Sequence, residues 1–352
     1  MGILGATGSV GQKLIRLLHD HPWFEIQVLA ASDRSAGKAY AEAVHWLEPS
    51  PLPAAVAGTR VGTVEAVQGC DLLFSALDSA TARRVEPPLV AAGNVVVSNA
   101  SASRMDPAVP LVVPEVNPDH LDLLCGRGGG CIVTNPNCAT AGLVLALKPL
   151  VDRFGVEAVN VTTLQAVSGA GYPGVPAIDI LSNVIPHIDG EADKLEEEPG
   201  KIFGRLRNSA IEPHPVTVSA QVTRVPVVDG HLLSISVKLS RSATAEQALV
   251  AFEEFRSPLE GLGLPSAPER PVIVLSGEAD PQPRLHSGLG GGMAVSVGQV
   301  RSCPVLDLRF VALVHNTVRG AAGAAVLNAE LMVAKGLVSH TEPDLGGFFA
   351  PQ

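Results

Sequence analysis

Charged residues are scarce in this chain, 17% of 352, while apolar residues reach 46%. Even so, no uninterrupted apolar run approaches the roughly 18 residues that a membrane span needs. Lysine and arginine total 25 against 35 acidic residues, for a net charge of −10, and nowhere do they cluster. That balance argues against nucleic acid or an anionic membrane surface as a partner. Small anionic molecules stay open, because a few placed arginines suffice. The five cysteines, at 70, 125, 131, 138 and 303, form no CxxC pair. Their wide spacing and the absence of a neighbouring histidine argue against zinc, so no metal is expected. The odd cysteine count and the lack of a signal peptide point to a reducing cytoplasm. The composition is that of a well-packed globular chain too long for one compact core, so two domains are expected.

The N-terminal stretch, Met1-Gly-Ile-Leu-Gly-Ala-Thr-Gly-Ser-Val-Gly, is a short apolar strand running into glycines at 5, 8 and 11 and then a helix. Glycines at this spacing let the backbone turn sharply and approach a pyrophosphate, which rests on the helix N-terminus. The pattern is GxxGxxG rather than GxGxxG, and its place at the first strand–helix junction is what gives it weight. Met1 leaves that strand very short, which points to a trimmed natural N-terminus. A second strand, expected over 25–31, ends in alanines where an NAD-binding chain usually carries an acid for the ribose 2′-hydroxyl. Ser32, Arg34 and Ser35 follow, and two hydroxyls with a guanidinium suit a 2′-phosphate, so NADP is the expected cofactor. Asp33 stands close to the place of the missing acid and keeps NAD open. Further strands are expected at 72–76, 95–98 and 111–113, with Ser75 near a strand end where open α/β sheets bind ligands. A polar loop with Asn99 and one arginine, Arg104, follows.

Thr134-Asn-Pro-Asn-Cys138-Ala-Thr-Ala-Gly142 lies between an apolar run ending at Val133 and a small-residue helix start. Cys138 therefore stands at a helix N-terminus, where unpaired N–H groups stabilise a thiolate and lower its pKa. The same groups point at the oxyanion formed when a thiolate attacks a carbonyl. Taken alone, the residue also reads as a small buried thiol. Beyond residue 150, strands are expected at 159–166, 216–222, 232–239, 294–299 and 306–315, separated by charged and proline-containing loops. The Ala- and Leu-rich residues 317–335 read as a long helix, and the Pro/Gly-rich 257–292 as an exposed excursion. The fold class is α/β: a doubly wound (Rossmann) dinucleotide-binding domain over 1–137, with helix 317–335 packing back on it, and an α+β domain with a mixed sheet over 138–316.

Six segments carry a family resemblance: GILGATGSVGQKL, SNASASRMDPAVPLVVPEVNPDHL, TNPNCAT, QAVSGAGYPGVPAIDILSNVIPHI, RVPVVDGH and HNTVRGAAGAAVLNAELM. Over nearly its whole length the chain resembles the aspartate-semialdehyde dehydrogenases of fungi and archaea, with residues 257–292 outside the match. The resemblance implies Cys138 as acyl-forming nucleophile, His231 as acid/base and Gln165 as a glutamine held near the cysteine. It implies Arg224 as the clamp on the substrate α-carboxylate, and Arg104, with Asn99 beside it, as the phosphate-binding arginine. Glu198 and Lys201 have the family's Glu-x-x-Lys spacing, implying contacts to the substrate amino group and phosphate. The run Glu196-Glu197-Glu198 leaves the choice of glutamate open. Cofactor contacts are implied at Gly5, Thr7, Gly8, Ser9, Val10, Ser75 and Asn316, with the nicotinamide at Ser168 and Gly169. A homodimer or homotetramer, formed through the 138–316 catalytic and dimerisation domain, is implied as well.

These roles cohere chemically. Reducing an acyl phosphate needs a nucleophile that displaces phosphate and holds the acyl group as a thioester, which accepts hydride more readily than a carboxylate. A histidine with a pKa near neutrality moves the proton, and a guanidinium grips a carboxylate at two points. Singly, His231 reads as a turn histidine, Arg224 and Lys201 as solvated cations, and Gln165 as a satisfied core residue. The implied function is NADPH-dependent reduction of L-aspartyl 4-phosphate to L-aspartate 4-semialdehyde, on the route to lysine, methionine and threonine. One rival is a CoA-thioester reductase such as malonyl-CoA reductase, which shares the cysteine and the cofactor. Another is a non-catalytic NADP-sensing protein, against which Cys138 and His231 together argue.

Overall fold

The structure, a computed structural model, describes residues 1–126 and 128–338. Short apolar runs build a wholly parallel first sheet from β1 (Gly2–Leu4), β2 (Val28–Ala31), β3 (Val61–Thr63), β4 (Leu72–Ser75), β5 (Val95–Ser98) and β6 (Cys131–Thr134). Strands β4 and β5 are buried along their whole length, which is why they read as unbroken apolar stretches rather than alternating ones. The order β3-β2-β1-β4-β5-β6 reverses between β1 and β4, and open α/β sheets bind ligands in the crevice at such a point.

The second sheet is mixed. It contains β7 (Val156–Gln165), β10 (Thr217–Arg224), β11 (His231–Leu239), β12 (Val272–Val274), β13 (Val295–Ser302) and β14 (Leu308–Val314), in the order β10-β7-β11-β14-β13-β12. A small hairpin, β8 (Arg205–Arg207) and β9 (Ala210–Glu212), stands apart. Arg224 pairs with Gln165 across the parallel β10–β7 ladder, and Leu232 with Leu164 across the antiparallel β7–β11 ladder. This register brings Gln165, Arg224 and His231 to one end of three adjacent strands. Against the second sheet packs the helix Cys138–Phe154, whose Leu143, Leu145 and Leu147 share a core with Leu233, Ile235 and Val237 of β11. The C-terminal helix Gly323–Ala334 packs instead on the first sheet, with Val326, Leu327 and Leu331 against Ile3, Phe74 and Val97.

Several expectations change here. Residues 111–113 form a single bridge from Leu111 to Thr134 rather than a strand. The irregular 40–70 region supplies β3, an edge strand too short to show periodicity. Residues 257–292 are not a simple exposed excursion. Leu259 and Leu264 are buried in the first sheet's core, the Ser266 N–H donates to both oxygens of buried Glu330, and Val272–Val274 pairs with β13. The expected single helix from 317 opens with a π-helical turn, Val318–Ala322, in which the Gly320 N–H reaches back to the His315 carbonyl. A helix, Glu191–Ile202, occupies what reads as charged loop, because several of its inward positions are polar: Glu191, Leu195, Glu198, Lys201 and Ile202 are buried. Among the described residues, no helix is long and apolar enough to cross a membrane.

The π turn is anchored by Arg319, fully buried, which donates to the Met293 carbonyl and pairs with equally buried Glu115. Arg319→Leu leaves that carboxylate uncompensated, and a loss of about 3–5 kcal/mol is expected in urea unfolding. The double variant Glu115→Leu/Arg319→Leu should recover much of it. An unchanged unfolding midpoint in the single variant would show that the pair contributes nothing.

Candidate active site

Cys138 is the first residue of its helix, and the turn before it supplies the cap. The Asn137 Oδ1 accepts from the N–H groups of Ala139 and Thr140 at 2.9 and 3.3 Å, a capping arrangement worth about 1 kcal/mol. The Asn137 N–H itself donates to Glu198 Oε2 at 2.7 Å. The Cys138 Sγ lies 3.2 Å from His231 Nε2. On the other side of the ring, the Ala166 N–H donates to Nδ1 at 3.0 Å. A backbone amide can only donate, so Nδ1 carries no proton, and the proton of the neutral ring sits on Nε2, facing the sulfur. The Ala166 carbonyl accepts from Arg224 Nη1 at 2.8 Å, so one residue orients both the histidine and the arginine.

Burial decides the charge states. It pushes the Cys138 thiol up to about 12, assisted by the nearby Glu191 carboxylate, and outweighs the pull of Arg104, the Ala139 N–H and Arg224. The half-buried thiol thus shifts in the direction opposite to the lowering expected from the helix N-terminus. His231 is pulled down to about 3 by burial, then by Arg224 and His315, so the near-neutral histidine expected from sequence is overturned too. The resting pair is a neutral thiol beside a neutral imidazole.

These groups adjoin a cleft of about 480 Å³. Arg104 lines it, its Nη1 on Glu198 Oε1 at 2.9 Å and its Nη2 on the Asn99 carbonyl at 2.7 Å, while its buried Nε has no partner among the described residues. Arg224, Glu191 and Lys194 line it as well. Glu191 Oε1 accepts from Lys194 at 2.8 Å, and its Oε2 accepts from Asn137 Nδ2 at 2.8 Å. Asn316 accepts from the Gly230 N–H and donates to Ser168 Oγ, tying the His231 turn to the Ser168 turn. Gly169 roofs the pair: a Cβ there would stand 2.9 Å from Arg224 Nη1 and 3.2 Å from His231 Nε2.

Ser9 and Val10 line the same cleft, and Ala76 and Leu77 also line a second pocket of about 330 Å³ that holds Gly5, Thr7, Gly8 and Ser32. A dinucleotide fits this pair of cavities. Gly5 has φ +78°, and a Cβ on it would lie 2.7 Å from the Ala76 carbonyl, so the loop keeps a bare backbone where a pyrophosphate would approach. Gly8 caps the Ser9–Leu18 helix with no side chain over its N–H groups.

Comparison with known proteins agrees with this geometry. The family described as semialdehyde dehydrogenase, NAD binding domain, matches residues 1–124, and that described as semialdehyde dehydrogenase, dimerisation domain, matches 147–319. The aspartate-semialdehyde dehydrogenase of Archaeoglobus fulgidus is 48% identical, over 96% of this chain and 99% of that protein. The Schizosaccharomyces pombe enzyme is also 48% identical, over 96% and 98%. The chain belongs to the aspartate-semialdehyde dehydrogenase family. Among solved structures, the Candida albicans enzyme with NADP superposes with a TM-score of 0.90 at 43% identity, covering 96% of this chain and 99% of that one. Aspartate semialdehyde dehydrogenase II of Vibrio cholerae, complexed with ASA, gives 0.75 at 30% identity, covering 94% and 97%.

Within this family fold, the structure gathers Cys138, His231, Arg224, Arg104, Asn99, Ser168, Gly169 and Asn316 around one cleft, and separates others from it. All three N–H groups of Lys201 are taken by the carbonyls of Arg104, Asp106 and Val109 at 2.6–2.8 Å, so its ammonium braces a loop and does not line the cleft. Glu198 is spent on Arg104 and the Asn137 N–H. The Glu-x-x-Lys pair on the cleft is Glu191-Ala-Asp-Lys194, which the sequence reading missed. It repeats the spacing seven residues earlier, about 10 Å along the helix, and spacing alone could not choose between the two. Gln165 lies behind Glu191, donating to its Oε2 at 3.4 Å. At the cofactor end, Ser35 is buried, its N–H closing a turn onto the Ser32 carbonyl, and neither it nor exposed Arg34 lines either cavity. Ser75 is buried and offers its carbonyl to Asn99.

The charge states make a testable statement about the thiol. Because its pKa is pushed up, the thiolate fraction and the rate of alkylation by iodoacetamide should rise about tenfold per pH unit through and beyond neutrality. Glu191→Gln removes an acid that opposes the thiolate, so alkylation of Cys138 at pH 8 should quicken several-fold. A rate already at its plateau near pH 7 would mean that the helix N-terminus prevails over burial.

Proposed function

We propose that this chain catalyses the NADPH-dependent reduction of L-aspartyl 4-phosphate to L-aspartate 4-semialdehyde and phosphate, through a thioester on Cys138. The observation that carries the reading is the 3.2 Å contact of Cys138 Sγ with His231 Nε2, at a cleft that shares Ala76, Leu77 and Asp78 with the glycine-loop pocket. The Cys138 sulfur attacks the substrate C4 carbonyl; the C–S bond forms, the bond to phosphate breaks, and the thiol proton passes to the departing oxygen, so the group leaves as hydrogen phosphate. NADPH, when bound, supplies the hydride. Collapse then expels the sulfur as thiolate and releases the aldehyde.

His231 serves this sequence as a neutral donor rather than as the expected acid/base. Its Nε2–H faces the sulfur and stabilises it both as attacking and as leaving group, while the Ala166 N–H opposes protonation at Nδ1. Arg224 holds the α-carboxylate, and Arg104, with its unpartnered Nε, receives the phosphate. Glu191 and Lys194 supply the acid for the substrate amino group and a second cation for phosphate, in place of Glu198 and Lys201. Gly5, Thr7, Gly8, Ser9 and Val10 cradle the pyrophosphate, and Ser168, Gly169 and Asn316 face the nicotinamide. Residues 1–137 with the returning helix 317–335 form the cofactor domain, and 138–316 the catalytic and dimerising one. The assembly is a homodimer or homotetramer, distinguishable by sedimentation velocity. The five free thiols suit a cytoplasmic setting.

Cys138→Ser should abolish turnover while leaving NADPH affinity within a few-fold. NADP reduction by wild type with aspartate semialdehyde should depend on inorganic phosphate. Turnover driven instead by CoA would move the assignment to a thioester reductase, and a serine variant near wild-type rate would remove the covalent step.

Arg224→Leu should raise KM and lower kcat together, because the guanidinium also sets the angle of attack. An aldehyde lacking the α-carboxylate should react about equally with wild type and variant. Equal discrimination against both aldehydes would dismiss Arg224 as the clamp.

A further inference from the structure

Three asparagine side chains join the C-terminal helix to the cleft. Asn328, fully buried on the helix Gly323–Ala334, donates from Nδ2 to Asn135 Oδ1 at 2.7 Å and to the Val112 carbonyl at 3.2 Å. Asn135, also buried, donates from Nδ2 to Asn99 Oδ1 at 2.8 Å and to the carbonyl of Ala321, in the π turn, at 3.1 Å. Asn99 donates from Nδ2 to the Ser75 carbonyl at 3.1 Å. The two ends of an amide have nearly the same shape, but each of these nitrogens faces a backbone carbonyl, which can only accept. The orientation of all three amides is thereby fixed, and the donors run one way, from residue 328 to residue 99. Asn328 Oδ1 is buried without a partner among the described residues, so this amide acts through its two N–H groups alone. At the other end, Asn99 keeps one N–H unspent. It lines the cleft together with Arg104, whose Nη2 donates to the Asn99 carbonyl at 2.7 Å.

We propose that Asn135 and Asn328 are positioning residues that act through Asn99, holding its amide with the oxygen turned away from the cleft and an N–H turned toward the phosphate on Arg104. The proposal rests on the phosphate-dependent reaction above and adds to its phosphate site a neutral donor set from the C-terminal helix. Orientation matters because a free amide can present either end. With its oxygen toward the cleft, Asn99 would oppose an anion, whereas its N–H makes a charge-assisted hydrogen bond. Reversal of Asn99 is blocked twice: its oxygen would meet the Ser75 carbonyl, and its nitrogen would meet the Asn135 N–H. Asn135 cannot reverse either, since its oxygen would meet the Ala321 carbonyl and Asn328 would lose its acceptor. A buried chain of hydrogen bonds connected in this way holds one arrangement.

In NADP reduction with aspartate semialdehyde, KM for inorganic phosphate reads this site, and calorimetric titration with inorganic phosphate reads it without turnover. Asn99→Ala should raise KM for phosphate about 10- to 50-fold, as expected for a hydrogen bond to a charged group. Asn135→Leu, which keeps the shape of the side chain, should raise it about 5- to 20-fold. Its kcat at saturating phosphate and its KM for NADP should stay within about threefold. Asn328→Leu should raise KM for phosphate about two- to fivefold, because the Ala321 carbonyl still orients Asn135. This milder variant carries the test if Asn135→Leu does not fold. In an Asn99→Ala background either substitution should add less than about twofold, since residues that act through one group are not additive. Effects that multiply in the double variants, or a kcat that falls while KM for phosphate holds, would reduce Asn135 and Asn328 to packing. A rise in KM for NADP alone would take the Asn99 N–H away from phosphate and overturn the proposal. Wild-type turnover indifferent to phosphate would overturn the reaction beneath it.

Discussion

Glu198 sits buried two turns into the Glu191–Ile202 helix, and its two oxygens accept from groups on different parts of the chain. One takes Arg104, in the loop after β5, and the other takes the N–H of Asn137, the cap of the Cys138 helix. A buried carboxylate is costly unless paired and hydrogen-bonded, and this one is both. Breaking the Arg104 contact would leave a buried charge without compensation, and breaking the Asn137 contact would leave a buried N–H and a carboxylate oxygen unpartnered. The arginine and the start of the nucleophile's helix are therefore held at one separation. Lys201, three residues on, grips the Arg104 loop through three carbonyls, and burial keeps its pKa down to about 8. The second half of this helix is thus scaffold, and the first half, with Glu191 and Lys194, faces the cleft.

The same clamp shapes the electrostatics. Asn137, fixed from both sides by Glu198 and Glu191, caps the helix with its own side chain, taking the Thr140 N–H and sharing the Ala139 N–H with the thiol. Glu191 lies below the usual carboxylate range: burial raises it, but Lys194, Asn137 and Gln165 prevail. It stays charged and opposes ionisation of the nearby thiol. A resting thiol that is neutral resists oxidation, since the thiolate is the reactive form. An incoming anion on Arg104 and Arg224 changes the same balance from the other side of the cleft.

Much of the architecture was legible from the chain. The buried parallel strands announced themselves as unbroken apolar runs, and β11 as an alternating one. The glycine loop and the Asn-Pro-Asn-Cys turn declared a strand–helix junction and a helix-start cysteine, because those residue types have few other uses at such places. Less legible was the Glu191–Ile202 helix: its buried face is partly polar, so apolar periodicity is weak there, and Pro199 and three successive glutamates imitate a loop. Residues 257–292 misled for a related reason, since the Leu259 and Leu264 that anchor them are sparse among prolines and glycines.

The sequence by itself determined which local structures form and which residue could be the nucleophile, because glycine, proline and apolar spacing act over a few neighbouring residues. Only the tertiary structure decided which Glu-x-x-Lys pair meets the cleft and in which direction the thiol and imidazole pKa values move. Those outcomes depend on burial and on charges brought together from residues 104, 138, 191, 224 and 231. Spacing along a helix is repeated every few residues, whereas desolvation differs at each of them, and it is the packed interior that tells them apart.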